Sequence, residues 1–353
     1  MMQGIKRNSF LFLLGLILAH SIFGSISSGM EVSVRGQQNP APGIFIQPNN
    51  QMAAWPEKQW QLEFQRMQDL GFKVLIVQWC RDKDIFYYPL PPDSDDNRPG
   101  QVAIPHRNML GTIKRFAEQF GMEFYLGLYH EASFWEQIKQ KPELLEGYLL
   151  SLGERNFEVA KALLPLVKDS PGFKGFYIPQ EVDDLTWMDK DKARRLSLFL
   201  SRLTERLKRL QPDADVLIST FFRGRSSPGS FAEMWQMILS RTRIDVLLVQ
   251  DGVGSGEVSL HFLERYLVEL RKRLPEGKNR LWGVVEAFDV ITDEKQEFVA
   301  GSAPMARVQQ QMSTADPLVD KLVFFSLKYF IPSAEVPGSR ELSTDYLKRR
   351  EVR

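Results

Sequence analysis

The chain has 353 residues, 43% hydrophobic and 25% charged, an ordinary globular mixture. Its 45 basic residues against 44 acidic ones leave a net charge of +1, without the basic excess that binding a phosphate backbone needs, so no nucleic-acid partner is expected. The single cysteine, Cys80, excludes an intrachain disulfide framework and any cysteine-rich metal site.

The N-terminus has Lys6 and Arg7, then the apolar run Phe10 to Phe23, then the small residues Gly24, Ser25, Ser27 and Ser28. A basic segment, a short apolar core and a small-residue exit describe an export signal. The run is shorter than the roughly 20 residues a spanning helix needs, and an uncleaved anchor is the alternative. Residues 1–30 are therefore set aside as a signal peptide or anchor, with 31–40 as a polar linker. The expected location is secreted, periplasmic or cell-envelope, with a membrane contact only if this segment is retained.

From residue 43 onward, short apolar runs alternate with amphipathic stretches. The runs are GIFIQP (43–48), KVLIVQW (73–79), EFYLGLYH (123–130), GFYIPQE (175–181), DVLISTFF (215–222), IDVLLVQD (244–251), LWGVVEAF (281–288) and KLVFFSLKYF (321–330). Near-continuous apolarity marks strands covered on both faces, as in a parallel sheet. Helical spacing fills the intervals: Trp60, Phe64, Met67 and Leu70 share one face, and Leu110, Ile113, Phe116 and Phe120 share another. Further amphipathic stretches cover 145–168, 190–210, 233–241 and 262–274, with a more polar one at 303–318. Eight strand–helix repeats predict an α/β fold, a single-domain (β/α)8 TIM barrel over residues 41–345 with a C-terminal tail at 346–353. The competing doubly wound sheet lacks support, because IQPNNQMAAWP after the first strand contains no glycine-rich phosphate loop.

A barrel carries its active site at the C-terminal ends of its strands. Those ends supply Gln47, Gln78, Trp79, Tyr129, His130, Gln180, Glu181, Phe222, Arg223, Gln250, Asp251, Glu286, Lys328 and Tyr329. Glu181 ends the fourth strand and Glu286 the seventh, which face one another across the mouth. Two carboxylates so placed can flank one glycosidic bond, and their apolar neighbours Ile178, Val284, Val285 and Trp282 would raise the pKa of one of them. Asp183 and Asp184 are candidates either for capping the next helix or for hydrogen-bonding substrate. Asp251, in the Gly-rich turn QDGVG, either orients the acid/base, binds a sugar hydroxyl or closes a turn. Trp79, Tyr129, Trp135, Trp187, Trp282 and Tyr329 are readable as sugar platforms or as core. Arg223 and Arg225 flank Gly224 where an anionic sugar would meet them, or are solvated.

No cofactor or metal is expected. His130 and His106 lack zinc-ligand spacing, and no calcium loop of the D-x-D-x-D-G kind accompanies Glu181, Asp183 and Asp184. No nucleophile elbow is present, and Cys80 between Trp79 and Arg81 is expected as a buried thiol rather than a nucleophile.

The segments VLIVQW (74–79), GFYIPQEVDD (175–184), IDVLLVQDGVG (244–254) and WGVVEAF (282–288) resemble an uncharacterised secreted TIM-barrel family, a domain of unknown function, related to the clan A glycoside hydrolases. The resemblance covers roughly residues 41–345. It implies a carbohydrate substrate, with Glu181 matching the clan's acid/base and Glu286 its nucleophile. The clan usually places Asn before the acid/base, to bind the sugar 2-hydroxyl; here Gln180 stands there. The expected function is retaining glycoside hydrolysis on a poly- or oligosaccharide. The alternative is a non-catalytic carbohydrate-binding barrel at the cell envelope.

Overall fold

Parallel strands can close on themselves when each is buried on both faces, and the eight apolar runs do this. A computed structural model describes residues 41–90, 108–274, 277–291 and 299–351. The signal-like segment, the linker and His106 lie outside the described residues. The strands are β1 Gly43–Ile46, β2 Val74–Val77, β3 Glu123–Gly127, β4 Phe173–Val182, β5 Asp215–Thr220, β6 Val246–Gln250, β7 Arg280–Glu286 and β8 Lys321–Phe325. They form a closed barrel in sequential order, every pairing parallel, with β1 hydrogen-bonded to both β2 and β8. The expected TIM barrel is present.

One helix follows each strand: α1 Glu57–Asp69, α2 Met109–Gln119, α3 Pro142–Val167, α4 Lys190–Leu210, α5 Pro228–Ser240, α6 Leu260–Arg273, α7 Met305–Ala315 and α8 Ser339–Glu351. Two of their starts carry side-chain caps. Asp189 Oδ1 accepts from the backbone N–H groups of Asp191 and Lys192, and Ser227 Oγ accepts from Ser230 N–H ahead of α5, where Pro228 occupies the first turn. Among the described residues no helix is long and apolar enough to cross a membrane.

Alternation along the strands divides the core in two. Phe45, Ile76, Tyr177, Leu217, Leu248 and Val284 point into the barrel and pack together. Ile44, Leu75, Phe176, Ile218, Leu247 and Val285 point outward against the helices. The last strand is shorter than its apolar run suggests: β8 stops at Phe325, and Leu327–Tyr329 forms a 3-10 turn. The residues from 346, expected as a tail, continue α8 to Glu351. Tyr346 is the reason: its ring packs against Phe72, Phe324 and Phe330 and is only 3% exposed.

One irregularity shapes the mouth. Between Ile178 and Val182 the β4 chain advances four residues while β5 advances from Ile218 to Thr220. The excess forms a bulge around Pro179, which has no N–H to give to a ladder. Two extra residues preserve the alternation, so Val182 still faces the helices as Ile178 does.

Candidate active site

Strand parity decides which end residues enter the mouth. Continuing the inward series Val74–Ile76 reaches Gln78, Tyr177–Pro179 reaches Glu181, Val246–Leu248 reaches Gln250, Trp282–Val284 reaches Glu286, and Val323 leads to Phe325. Gln47 stands on the same parity beyond Phe45. The inward mouth is thus built from amides, two carboxylates and an aromatic ring.

Glu286 is 5% exposed, and its Oε2 accepts a 2.8 Å hydrogen bond from Ser255 N–H. Gly254 makes that bond possible, since a β-carbon there would lie 2.7 Å from Glu286 Cβ. Asp251, 2% exposed, lies beside it: Oδ1 accepts from Val253 N–H at 3.1 Å and Oδ2 from Glu286 N–H at 3.4 Å. Burial, and then the neighbouring Asp251 charge, push the Glu286 carboxyl up to about 8; burial raises Asp251 to about 6. Helix α7 supports this pair from behind. The Gln311 amide, fully buried, donates to Asp251 Oδ2 at 2.5 Å, and Arg307 donates to the Glu286 carbonyl at 3.2 Å and to Gln311 Oε1 at 2.8 Å.

Glu181 is half-buried, and its Oε1 accepts a 2.7 Å bond from Gln250 Nε2. Burial raises its pKa, against the Gln250 hydrogen bond and the positive charges of His130 and Arg223, which favour the ionised form. The same Glu181 charge is felt at Glu286, where it adds to the upward shift. The two carboxylates therefore share one electrostatic environment.

His130 and Trp79 form a rim pair. Their rings stack with centroids 4.5 Å apart, the indole N–H donates to Pro48 O at 3.1 Å, and His130 Nδ1 meets Asp82 Oδ1 at 2.9 Å. Arg223 is exposed on the loop after β5, 5.2 Å over the Phe221 ring and 3.9 Å from Glu257.

Several expected site residues are elsewhere. Gln180 faces the helices: its Nε2 donates to Tyr129 O at 2.7 Å and its Oε1 accepts from Asn156 Nδ2 at 3.1 Å, so both ends are used inside the protein. Tyr129 is buried against α3, where its hydroxyl donates to Glu131 at 3.0 Å and accepts from Arg155 at 3.0 Å. Asp183 caps its own turn, accepting from Leu185 N–H at 3.1 Å and from Thr186 N–H and hydroxyl. Asp184 holds the loop after β5 through the N–H groups of Arg223, Arg225 and Ser226. Trp282 lies in the barrel floor, level with Lys321 and edge-on to Tyr125. Trp187 is fully buried. Tyr329 is 1% exposed and stacked on Phe288, because β8 ended before it. Cys80 is a buried thiol whose pKa burial pushes up.

Four contributors were missed in the sequence. Phe325 pairs in register with Glu286 and borders it directly; inward parity from Val323 would have found it, whereas the run was read on to Tyr329. Asn156, Arg307 and Gln311 stand on helices, and no local signal marks a helix residue that reaches a strand end. Among the described residues no group of three or more His, Cys, Asp or Glu converges as metal ligands.

The chain belongs to the family described as Domain of unknown function (DUF4434), which matches residues 42–340. It is 28% identical to the uncharacterized protein YbcH of Escherichia coli (strain K12) over 293 residues, 81% of this chain and 89% of that one. Among solved structures it is similar to one described as a "putative alpha-L-fucosidase" from Bacteroides thetaiotaomicron, with TM-score 0.67, 19% identity, and coverage of 89% of this chain and 97% of that chain. An endo-1,4-beta-mannanase from Rhizomucor miehei aligns with TM-score 0.54 and 12% identity over 91% of this chain and 97% of that one. At these identities the likeness is one of fold, a barrel shared with glycoside hydrolases.

Proposed function

We propose that this member of the family hydrolyses O-glycosidic bonds of a poly- or oligosaccharide with retention, Glu181 acting as acid/base and Glu286 as nucleophile. The observation that carries the reading is that Glu181 and Glu286 reach one mouth from β4 and β7, both with raised pKa, and neither in an ion pair among the described residues. In the first step Glu181 gives its proton to the leaving oxygen while Glu286 attacks the anomeric carbon, forming a glycosyl ester. In the second step Glu181 takes a proton from water, which displaces Glu286. Gln250 holds Glu181 in place. Ser255 N–H stabilises the ionised Glu286.

The test is a panel of chromogenic glycosides and native polysaccharides run beside the Glu286→Gln variant. NMR of the first-formed anomer reports retention. Hydrolysis by the parent at a rate that Glu286→Gln leaves unchanged overturns the assignment.

A second reading, a carbohydrate-binding barrel without turnover, has one observation in its favour. The amide before the acid/base, Gln180, is locked to Asn156 and Tyr129 and does not reach a sugar hydroxyl. It predicts glycan binding equal in the parent and Glu286→Gln, with no hydrolysis by either. Export directed by the Phe10–Phe23 run is a further proposal, tested by fractionation and N-terminal sequencing of the mature protein.

A further inference from the structure

The mouth contains a glutamine that the protein itself does not use. Gln78 is 7% exposed, and its buried Oε1 has no hydrogen-bond partner. A buried amide oxygen without a partner loses its water and regains nothing, a cost that a ligand donor in the mouth would offset. The neighbouring glutamines differ. Gln180 is satisfied at both ends by protein, and Gln250 is engaged with Glu181.

The backbone holds Gln78 firmly. Its N–H donates to Ile46 O at 2.9 Å, and the strands close tightly beside it, where Cys80 N–H reaches Gly127 O at 2.7 Å. Gly127 has to be glycine there, because a β-carbon would overlap the Gln78 carbonyl. Val74 and Ile76 pack inside the barrel, whereas Leu75, Val77 and Trp79 pack on its outer side, so the Gln78 side chain is on the inward series.

We infer that Gln78 is a substrate-recognition residue that hydrogen-bonds a hydroxyl of a neutral sugar held in the mouth. The inference rests on the glycoside-hydrolase reading and adds the substrate class. The inward groups of the mouth include the amides of Gln47, Gln78 and Gln250 with Glu181, Glu286 and Phe325, and among the described residues no lysine or arginine stands at the mouth end of these inward series. On the rim, His130 has Asp82 at 2.9 Å and Arg223 has Glu257 at 3.9 Å, while Arg225 is exposed on the same loop. Amides match hydroxyls; within the inward mouth a uronate or sulfate would meet the two glutamates with no inward lysine or arginine beside them among the described residues.

Two measurements on Gln78→Met test it. The melting temperature of the free protein should be unchanged or rise by a few degrees, because an amide without a partner is replaced by an apolar chain of equal length. A fall of more than about 3 °C would mean that the amide is bonded within the protein, and would overturn the inference. On 4-nitrophenyl glycosides of neutral hexoses, pentoses and 6-deoxyhexoses, kcat/KM should fall about 100-fold or more for the sugar the parent prefers. The parent should lose the same factor on the matching deoxy analogue, and the variant should not discriminate.

Equal kcat/KM for parent and variant overturns the role of Gln78 while leaving the hydrolase reading standing. A parent that prefers the 4-nitrophenyl glucuronide overturns the neutral class. A parent that neither cleaves nor binds any glycoside of the panel, the glucuronide included, overturns both readings.

Discussion

The two ends of the barrel hold charge in opposite ways. At the floor, Arg280 meets Asp215 at 2.5 Å and the Tyr125 hydroxyl donates to Asp215 at 3.1 Å, with Lys321 5.1 Å over the Trp282 ring. At the mouth, Glu181, Asp251 and Glu286 are held by neutral donors, and among the described residues none lies in an ion pair. Paired buried charge closes a structure, whereas unpaired buried carboxylates raise their own pKa and remain reactive. The floor is therefore read as a plug and the mouth as a site, although both are polar layers on the same strands.

Breaking that contrast is most direct at Glu286. Glu286→Gln should cut turnover by at least about 10^3-fold with an unchanged circular dichroism spectrum. The same variant sharpens the contrast through stability. The Glu286 carboxyl is raised in the folded state, so folding favours its protonated form, and that contribution is complete below about pH 4.5 and lost as pH rises through about 8. Glutamine mimics the protonated form. Thermal melts should therefore superimpose near pH 4.5 and favour Glu286→Gln by a few kcal/mol near pH 9. Equal melting temperatures at the higher pH would show that Glu286 carries no such strain.

Two structural positions test the other side. Gln180→Ala removes one acceptor from Asn156, which keeps Leu152 O and Tyr129 N–H, and the donor to the Tyr129 carbonyl, and should cost about 1–3 kcal/mol, with kcat per folded molecule changed less than about 3-fold. A collapse of kcat at normal stability would place Gln180 in the mouth after all. Arg280→Ala at the half-exposed floor pair should cost about 1 kcal/mol or less and leave activity intact below the melting transition. The smallest expected effect is on the pH profile. With Glu286 as nucleophile, kcat/KM rises with pH towards about 8, since only the ionised form attacks. Asp251→Asn should move that limb down by about one pH unit, because it removes the second largest cause of the shift after burial. A falling limb set by Glu181 is expected as well, since it must be protonated to act as the acid, and a rising limb that Asp251→Asn leaves in place would count against Glu286 as the nucleophile.

Much of the architecture was legible from local pattern. Eight continuous apolar runs, each followed by a 3.6-period stretch, leave little but a parallel barrel, because such strands must be covered on both faces. Glu286 was legible for a related reason: a lone carboxylate in WGVVEAF has no local partner, so its burial requires an explanation. Proximity to a strand end did not tell mouth from wall. It treated Gln78 and Gln180 alike, and Tyr129 and Tyr329 as equals of Trp79.

The sequence by itself determined the barrel, the order of its strands and the two carboxylates at the ends of the fourth and seventh. The tertiary structure alone decided which amide is bonded within the protein and which is left without a partner among the described residues. Gln180 finds Asn156 on α3, whereas Gln78 Oε1 finds no partner among the described residues. The physical reason is that a buried polar group is defined by its partners, and those come from helices distant in the chain. Strand alternation and the Pro179 bulge, which no composition records, then set the face on which each residue lands.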